Sequence, residues 1–146
     1  TEAAKTAMTH ETPEGLAKLM KVAGNMGLTG EYFLHCFSRF QFDGIDAKLP
    51  DHTFHGQTTR QIGSKTVELI EVGPAHTGGD AIAYVPADKA VFTGDILFIE
   101  GHPIIWVGPV GNWIAACERI EAMDVDTIVP GHGPITDKRG VARLRE

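Results

Sequence analysis

Cysteine is nearly absent: the 146-residue chain has two, Cys36 and Cys117, far apart and without C-x-x-C spacing. That excludes a disulfide framework, because a chain of this length can bury a core without staples, and it makes two free thiols the expectation. Basic clusters are missing as well. No Lys/Arg run exceeds the pair Lys138-Arg139, and the net charge is −6. Without a cationic footprint there is nothing to attract a phosphate backbone, so nucleic acid is excluded as a partner. No apolar stretch approaches the roughly 20 residues needed to cross a bilayer, and the opening TEAAKTAMTHE has no signal-peptide hydrophobic region. The reading is no membrane partner and a cytoplasmic location. Repeats and low-complexity tracts are absent too. The chain opens at Thr1 rather than methionine, and the expectation is that an upstream segment has been removed.

What is present is 42% apolar composition, enough for one domain with a real core. Thr12-Pro13-Glu14 is a helix-start signal: a capping hydroxyl, a proline where its missing N–H does no harm, and an acid facing the helix dipole. Leu16, Leu19, Met20 and Ala23 then fall on one helical face. A second apolar stretch, 31–42, has Phe33, Phe37 and Phe40 at helical spacing and ends at Asp43-Gly44. From about Phe54 the pattern becomes period two. Thr58–Ile62 and Lys65–Val72 read as a hairpin about Gly63-Ser64, with Val67, Leu69 and Val72 inward. Ala81–Val85 and Ala90–Thr93 read as a second hairpin. Residues 96–110 are apolar but broken by glycine and proline, which predicts an irregular loop. Asn112 is placed to cap a helix running through Met123, Asp126–Val129 reads as a short buried strand, and Thr136 or Asp137 caps a last helix. The organisation is a helical segment, 1–50, followed by a β-rich part, 51–146, with two closing helices.

Three metal-capable side chains share one context. His76 in VELIEVGPAHTGGD, Asp95 in AVFTGD and His132 in TIVPGH each follow an apolar β-type run with glycine alongside. A strand delivers its next residue to one rim of a sheet, so three strands can bring two imidazoles and a carboxylate together. Alone, each has a plainer reading as a hydrogen-bonded loop histidine or a turn aspartate. Together they are donors suited to zinc, with iron and manganese as alternatives, and an ion holding all three would keep a position for water. Asp80 is close enough in sequence to act behind His76.

GPAHTGGD, VFTGD and VPGHGPIT resemble the third, fourth and fifth motifs of the metallo-β-lactamase superfamily, in the same order. The resemblance covers residues 58 to 146, and the preceding helices fit the segment that follows that family's main metal motif. It implies an α/β fold, a partial αββα sandwich represented mainly by its carboxyl-terminal half. It also implies that His76 matches a histidine on a first metal, Asp95 a bridging carboxylate and His132 a histidine on a second. The family's principal motif, His-x-His-x-Asp-His, appears nowhere in this chain: His10-Glu11 and the DHTFH string at 51–55 do not match it, and without its ligands the expectation is one ion shared by His76, Asp95 and His132 rather than a two-metal site. The segment ILFIEGHPIIWVGPVGNW after Asp95 is similar to one that walls the substrate pocket in cyclase-like members, which would place His102 and Trp106 at a pocket; the alternative is a solvated loop histidine and an aromatic anchor.

Two functions follow. The resemblance implies a metal-dependent hydrolase whose activated water attacks an ester, thioester or amide-type bond of a small-molecule substrate. That implication holds for the intact ancestral domain and does not extend to this chain's own activity. The second reading is a non-catalytic scaffold that self-associates, because half of a sandwich leaves apolar faces and strand edges to be covered by a homo-oligomer.

Overall fold

A computed structural model describes residues 1–9, 12–42 and 44–146; His10, Glu11 and Asp43, and with them the Asp43 part of the expected helix stop, lie outside the described residues. The chain divides into two compact units, one of Lys5–Asp51 and one of Thr1–Ala4 with His52–Glu146. A helix, α1 (Glu2–Met8), runs across that first boundary. No described helix is long and apolar enough to cross a membrane.

In the helical unit, α2 (Pro13–Val22) starts as its sequence dictates: Gly15 N–H donates to the Thr12 hydroxyl at 3.1 Å, with Pro13 in the first turn. A 3-10 turn, Ala23–Asn25, leads to α3 (Gly27–Phe37). Ala23 is fully buried, and Gly30 lies so close to the Ala23 carbonyl that a β-carbon there has no room. Leu16, by contrast, is exposed, so the expected four-residue face is buried at Ala23 rather than along its length. Phe33 and Phe37 stack at 6.1 Å, whereas Phe40 lies beyond the helix and is exposed.

The other unit is a five-stranded sheet ordered β1-β2-β3-β4-β5, comprising β1 (Gln57–Ile62), β2 (Lys65–Glu71), β3 (Ala81–Val85), β4 (Ala90–Phe98) and β5 (Thr127–His132). The first four pair antiparallel, β1–β2 and β3–β4 as the two expected hairpins and β2–β3 across the turn 72–80, and β4 pairs parallel with β5. Parallel neighbours need a crossover. Here it carries α4 (Val110–Ala122), and α5 (Lys138–Arg145) closes the chain.

The core joins one sheet face to these helices: Ile70, Ile82, Val91, Ile96, Leu97 and Ile128 with Trp113, Ala116, Cys117, Ile120 and Val141. Ile70 pairs with Ile82, so the helix-facing parity of β2 belongs to Ile70, not to Val67 and Leu69 as the sequence suggested. Alternation misleads there because Val67 and Leu69 make the cleaner apolar face, while Ile70 shares its face with Thr66 and Glu68. Leu69, Ala83, Phe92 and Val129 form a cross-strand row on the opposite face.

Two further expectations are corrected. The strand expected to stop at Thr93 runs on to Phe98, where it re-pairs with His132 beyond a register shift, and Ile96 and Leu97 are buried in it rather than in a loop. Asn112 caps nothing: α4 begins after Pro109, and the Asn112 amide instead donates to the Pro74 carbonyl at 2.9 Å. Asp137 is the cap of α5, accepting from Arg139 and Gly140 amides. Its carboxyl is held below its ordinary value, first by the Arg139 side chain and then by the Gly140 N–H.

Candidate functional site

His76 lies on the turn between β2 and β3, Asp95 follows a bulge inside β4, and His132 ends β5. The bulge is produced at Gly94, whose φ of 53° is the left-handed conformation that glycine adopts without strain. It turns Asp95 toward the rim of the sheet. Gly131 gives the carboxylate its room: a β-carbon there would run into Asp95 Oδ1 and lie 2.6 Å from the Gly94 carbonyl carbon.

The result is a carboxylate between two imidazoles. His76 Nε2 stands 3.5 Å from Asp95 Oδ2, and His132 Nε2 stands 3.4 Å from Asp95 Oδ1. The His76 side chain is 12% exposed, Asp95 43% and His132 58%. Phe98 fills the space by the rings, stacked on His132 at 4.4 Å and tilted against His76 at 5.7 Å. Sequence reading missed Phe98 because it assigned that segment to a loop; its signal was the third place after Asp95 in a buried apolar run.

The chemistry of the donors follows from the far side of His76. Its Nδ1 lies 2.7 Å from the Ile104 carbonyl oxygen. A carbonyl only accepts, so Nδ1 carries the hydrogen and a neutral His76 presents the Nε2 lone pair to Asp95. A lone pair facing a carboxylate oxygen is relieved by a proton on Nε2 or by a metal ion between them. The separations of 3.4 and 3.5 Å exceed a charge-assisted hydrogen bond of about 2.7–2.9 Å. They match the edge of a tetrahedron whose corners are about 2.1 Å from a zinc ion, which is about 3.4 Å. The residues therefore fit a metal in donor type and spacing.

They do not form a complete cage. Among the described residues no group of three or more His, Cys, Asp or Glu is arranged to hold a metal ion. The reason is which atoms meet. The imidazoles address different oxygens of Asp95, giving two donors at each of two places rather than three at one.

The other residues singled out in the sequence are placed differently. Asp80 binds the turn that carries His76 through hydrogen bonds with Ala75 and Thr77. Trp106 has an exposed indole, but its backbone N–H donates to the His76 carbonyl at 2.9 Å. His102 is exposed and lines a cleft of about 360 Å3 with Glu100, Arg143 and Leu144. Both cysteines are free, and burial pushes the Cys117 thiol up to about 12.

A family model described as the metallo-beta-lactamase superfamily matches residues 6–132. Hydroxyacylglutathione hydrolases of Brucella ovis and Brucella abortus are each 35% identical over 83 residues, which are 56% of this chain and 32% of the relative. The match thus spans about a third of those relatives' length. Among solved structures, a metallo-beta-lactamase from Pontibacter korlensis superposes with a TM-score of 0.56 at 26% identity, covering 67% of this chain and 49% of that one. The B3 metallo-beta-lactamase BLEG-1 gives 0.54 at 25% identity, over 64% and 46%.

Proposed function

The chain belongs to the metallo-β-lactamase superfamily, and from that premise we propose that its rim site is the metal-binding part of a hydrolase acting on small acyl compounds. The observation that carries this reading is the Asp95 carboxylate standing 3.5 and 3.4 Å from two imidazole Nε2 atoms. His76 and Asp95 Oδ2 would hold one ion and His132 and Asp95 Oδ1 a second, with zinc the first choice for nitrogen and carboxylate donors and iron or manganese the alternatives. When bound, such an ion supplies Lewis acidity, polarising a carbonyl and bringing the pKa of water toward neutrality.

The chain's own residues then have definite tasks. His76, fixed by the Ile104 carbonyl, offers its lone pair without reorienting. Asp95 neutralises cationic charge on both sides. Phe98 holds the His132 ring flat against itself. The exposed Trp106 and Ile104, joined by backbone contacts to the His76 turn, would meet the apolar part of a substrate. The curated relatives, named as hydrolases of hydroxyacylglutathione, favour an acyl conjugate as the substrate class. Two protein donors at each position leave an ion mostly open, so binding is expected to be weak until further donors join it.

The test is zinc content after equilibration of metal-free protein, beside His76→Ala and His132→Ala variants. Zinc retained by the wild type and reduced in both variants is the expected result; equal, negligible zinc in all three ends the reading.

A specific observation also favours self-association. The row Leu69, Ala83, Phe92 and Val129 gives the sheet a second apolar face, on which Phe92 is 49% exposed. A second copy covering it would give a homodimer. Sedimentation of wild type and Phe92→Lys decides this: a dimer lost in the variant supports it, and a wild-type monomer at high concentration rejects it.

A further inference from the structure

We propose that Asp80 is the positioning residue of the rim site: its carboxylate locks the turn carrying His76 so that the imidazole is held in the Nδ1–H form with Nε2 aimed at Asp95. The role in metal binding rests on the preceding reading; the effect on the imidazole stands on the hydrogen bonds alone.

The turn from Val72 to Asp80 is nine residues long and would sample many conformations if left to itself. Asp80 closes it with all three of its oxygens. Oδ2 accepts from the Ala75 N–H at 2.9 Å, both carboxylate oxygens accept from the Thr77 N–H at 2.9 and 3.0 Å, and Oδ1 accepts the Thr77 hydroxyl at 2.6 Å. The backbone carbonyl of Asp80 takes the N–H groups of Val72 and Gly73. His76 thus sits between two residues whose amides are both tied to one carboxylate. Gly73 permits this closeness, since a β-carbon there would come within 2.7 Å of the Asp80 nitrogen.

A second set of contacts fixes the same turn from the opposite side. The His76 carbonyl accepts from Trp106, the Ala75 carbonyl from Gly108 and the Pro74 carbonyl from the Asn112 side chain, while Ile104 receives the Nδ1 hydrogen. Those are backbone partners, with the exception of Asn112, and no substitution removes them cleanly. Asp80 is the side chain that ties down the amides on both sides of the imidazole, those of Ala75 and Thr77. Releasing it frees the Ala75–Thr77 backbone, lengthens the Nδ1–H bond to Ile104 and lets the neutral ring populate its other tautomer. A direct ring partner such as the Ile104 carbonyl sets a ligand histidine's tautomer and orientation, and losing one costs about 10–100-fold in metal affinity; Asp80 acts one step behind it, through the Ala75 and Thr77 amides.

The experiment compares wild type, Asp80→Asn, Asp80→Ala and Thr77→Val in the full chain. Long-range proton–nitrogen correlation spectra of the metal-free proteins, taken with the histidines neutral, read the His76 tautomer; zinc titration against a chromophoric chelator reads affinity. The wild type is expected to show one Nδ1–H form. Asp80→Ala should show mixed tautomers and an affinity about 10-fold lower, the low end of the range for a direct ring partner. Asp80→Asn, which retains one acceptor oxygen, should fall between, and Thr77→Val should shift the ring signals least, with His132 signals unchanged throughout. A wild-type ring in the Nε2–H form overturns the proposal, as does an Asp80→Ala ring identical to wild type. If Asp80→Ala does not fold, Asp80→Asn and Thr77→Val decide: unchanged His76 signals in both overturn it. If the wild type binds no zinc, the metal reading fails while the tautomer arm still decides the role of Asp80.

Discussion

Gly94 and Gly131 flank Asp95 from adjacent strands, and alanine should harm each for a different physical reason. At Gly94 the problem is conformation. Its φ is 53° and a β-carbon would meet nothing within 4 Å, so Gly94→Ala suffers the left-handed backbone penalty, about 1–2 kcal/mol. At Gly131 the problem is space. The new carbon would run into Asp95 Oδ1 and lie 2.6 and 2.7 Å from the carbonyl carbon and oxygen of Gly94. Two of those three atoms are backbone, so relief requires β4 and β5 to separate or the carboxylate to leave, with an overpacking cost of about 1–3 kcal/mol. The stability losses overlap, and a double-mutant cycle separates them. Truncation in Asp95→Ala removes the side-chain obstacle, so Gly131→Ala should cost at least about 0.5 kcal/mol less in that background, whereas Gly94→Ala should add independently. Urea unfolding followed by tryptophan fluorescence measures all the corners. The His132 ring signals should move in Gly131→Ala. Strict additivity at Gly131 and Asp95, together with unmoved His132 signals, would refute the steric account of how the carboxylate is placed.

Three other outcomes follow from the structure. Trp113 Nε1–H donates to the buried Ile96 carbonyl at 2.8 Å, so Trp113→Phe should leave that acceptor unpaired and lower unfolding free energy by about 1–3 kcal/mol in urea titrations. The Glu71 carboxyl is held below its ordinary value of 4.5, first by the Gly56 N–H and then by His55. A depressed carboxylate stabilises the fold above its unfolded value and ceases to as pH falls through its folded value. The urea midpoints of wild type and Glu71→Gln should therefore differ at neutral pH and converge on acidification below 4.5; a gap that widens there contradicts the linkage. Cys117, buried and with its thiol near 12, should resist a thiol-reactive dye until the chain unfolds, while the partly exposed Cys36 reacts first.

The candidate site was legible in the chain because each of its three residues has a local cause that is also a sequence pattern. His76, Asp95 and His132 follow apolar strand runs, and the glycines beside them mark where the backbone must bend or approach closely. Contacts made by backbone atoms left no such trace. Nothing in the letters of Ile104 announces that its carbonyl fixes an imidazole 28 positions away. Strand faces mislead at β2: Val67 and Leu69 look better suited to a core than Ile70, which shares its face with Thr66 and Glu68, and the pairing of Ile70 with Ile82 decides which face joins the core. The extent of β4 was hidden by its bulge, since Gly94 interrupts the alternation that Ile96, Leu97 and Phe98 resume in another register. Asn112 misleads because a good capping residue also makes a good donor to a neighbouring turn, and the helix already starts after Pro109. The opening helix, Glu2–Met8, lacked the stop and start signals that identified α2.

The buried core and the proposed metal site occupy different parts of the sheet. The buried cluster lies between one face and helices α4 and α5, and it includes none of His76, Asp95 and His132. Those three stand at the rim, where strand ends and turns meet. Removing a donor there leaves the core's contacts in place, so a sheet of this kind can keep its fold while its complement of metal donors varies. The two properties meet at a few positions only. Phe98 is buried and also stacks on His132. Gly131 admits the Asp95 carboxylate and also sets how closely β5 approaches β4. At those positions a change in packing becomes a change in donor geometry, whereas a substitution at the largely exposed His132 should affect unfolding less than one at His76, whose side chain is 12% exposed and bonded to the Ile104 carbonyl.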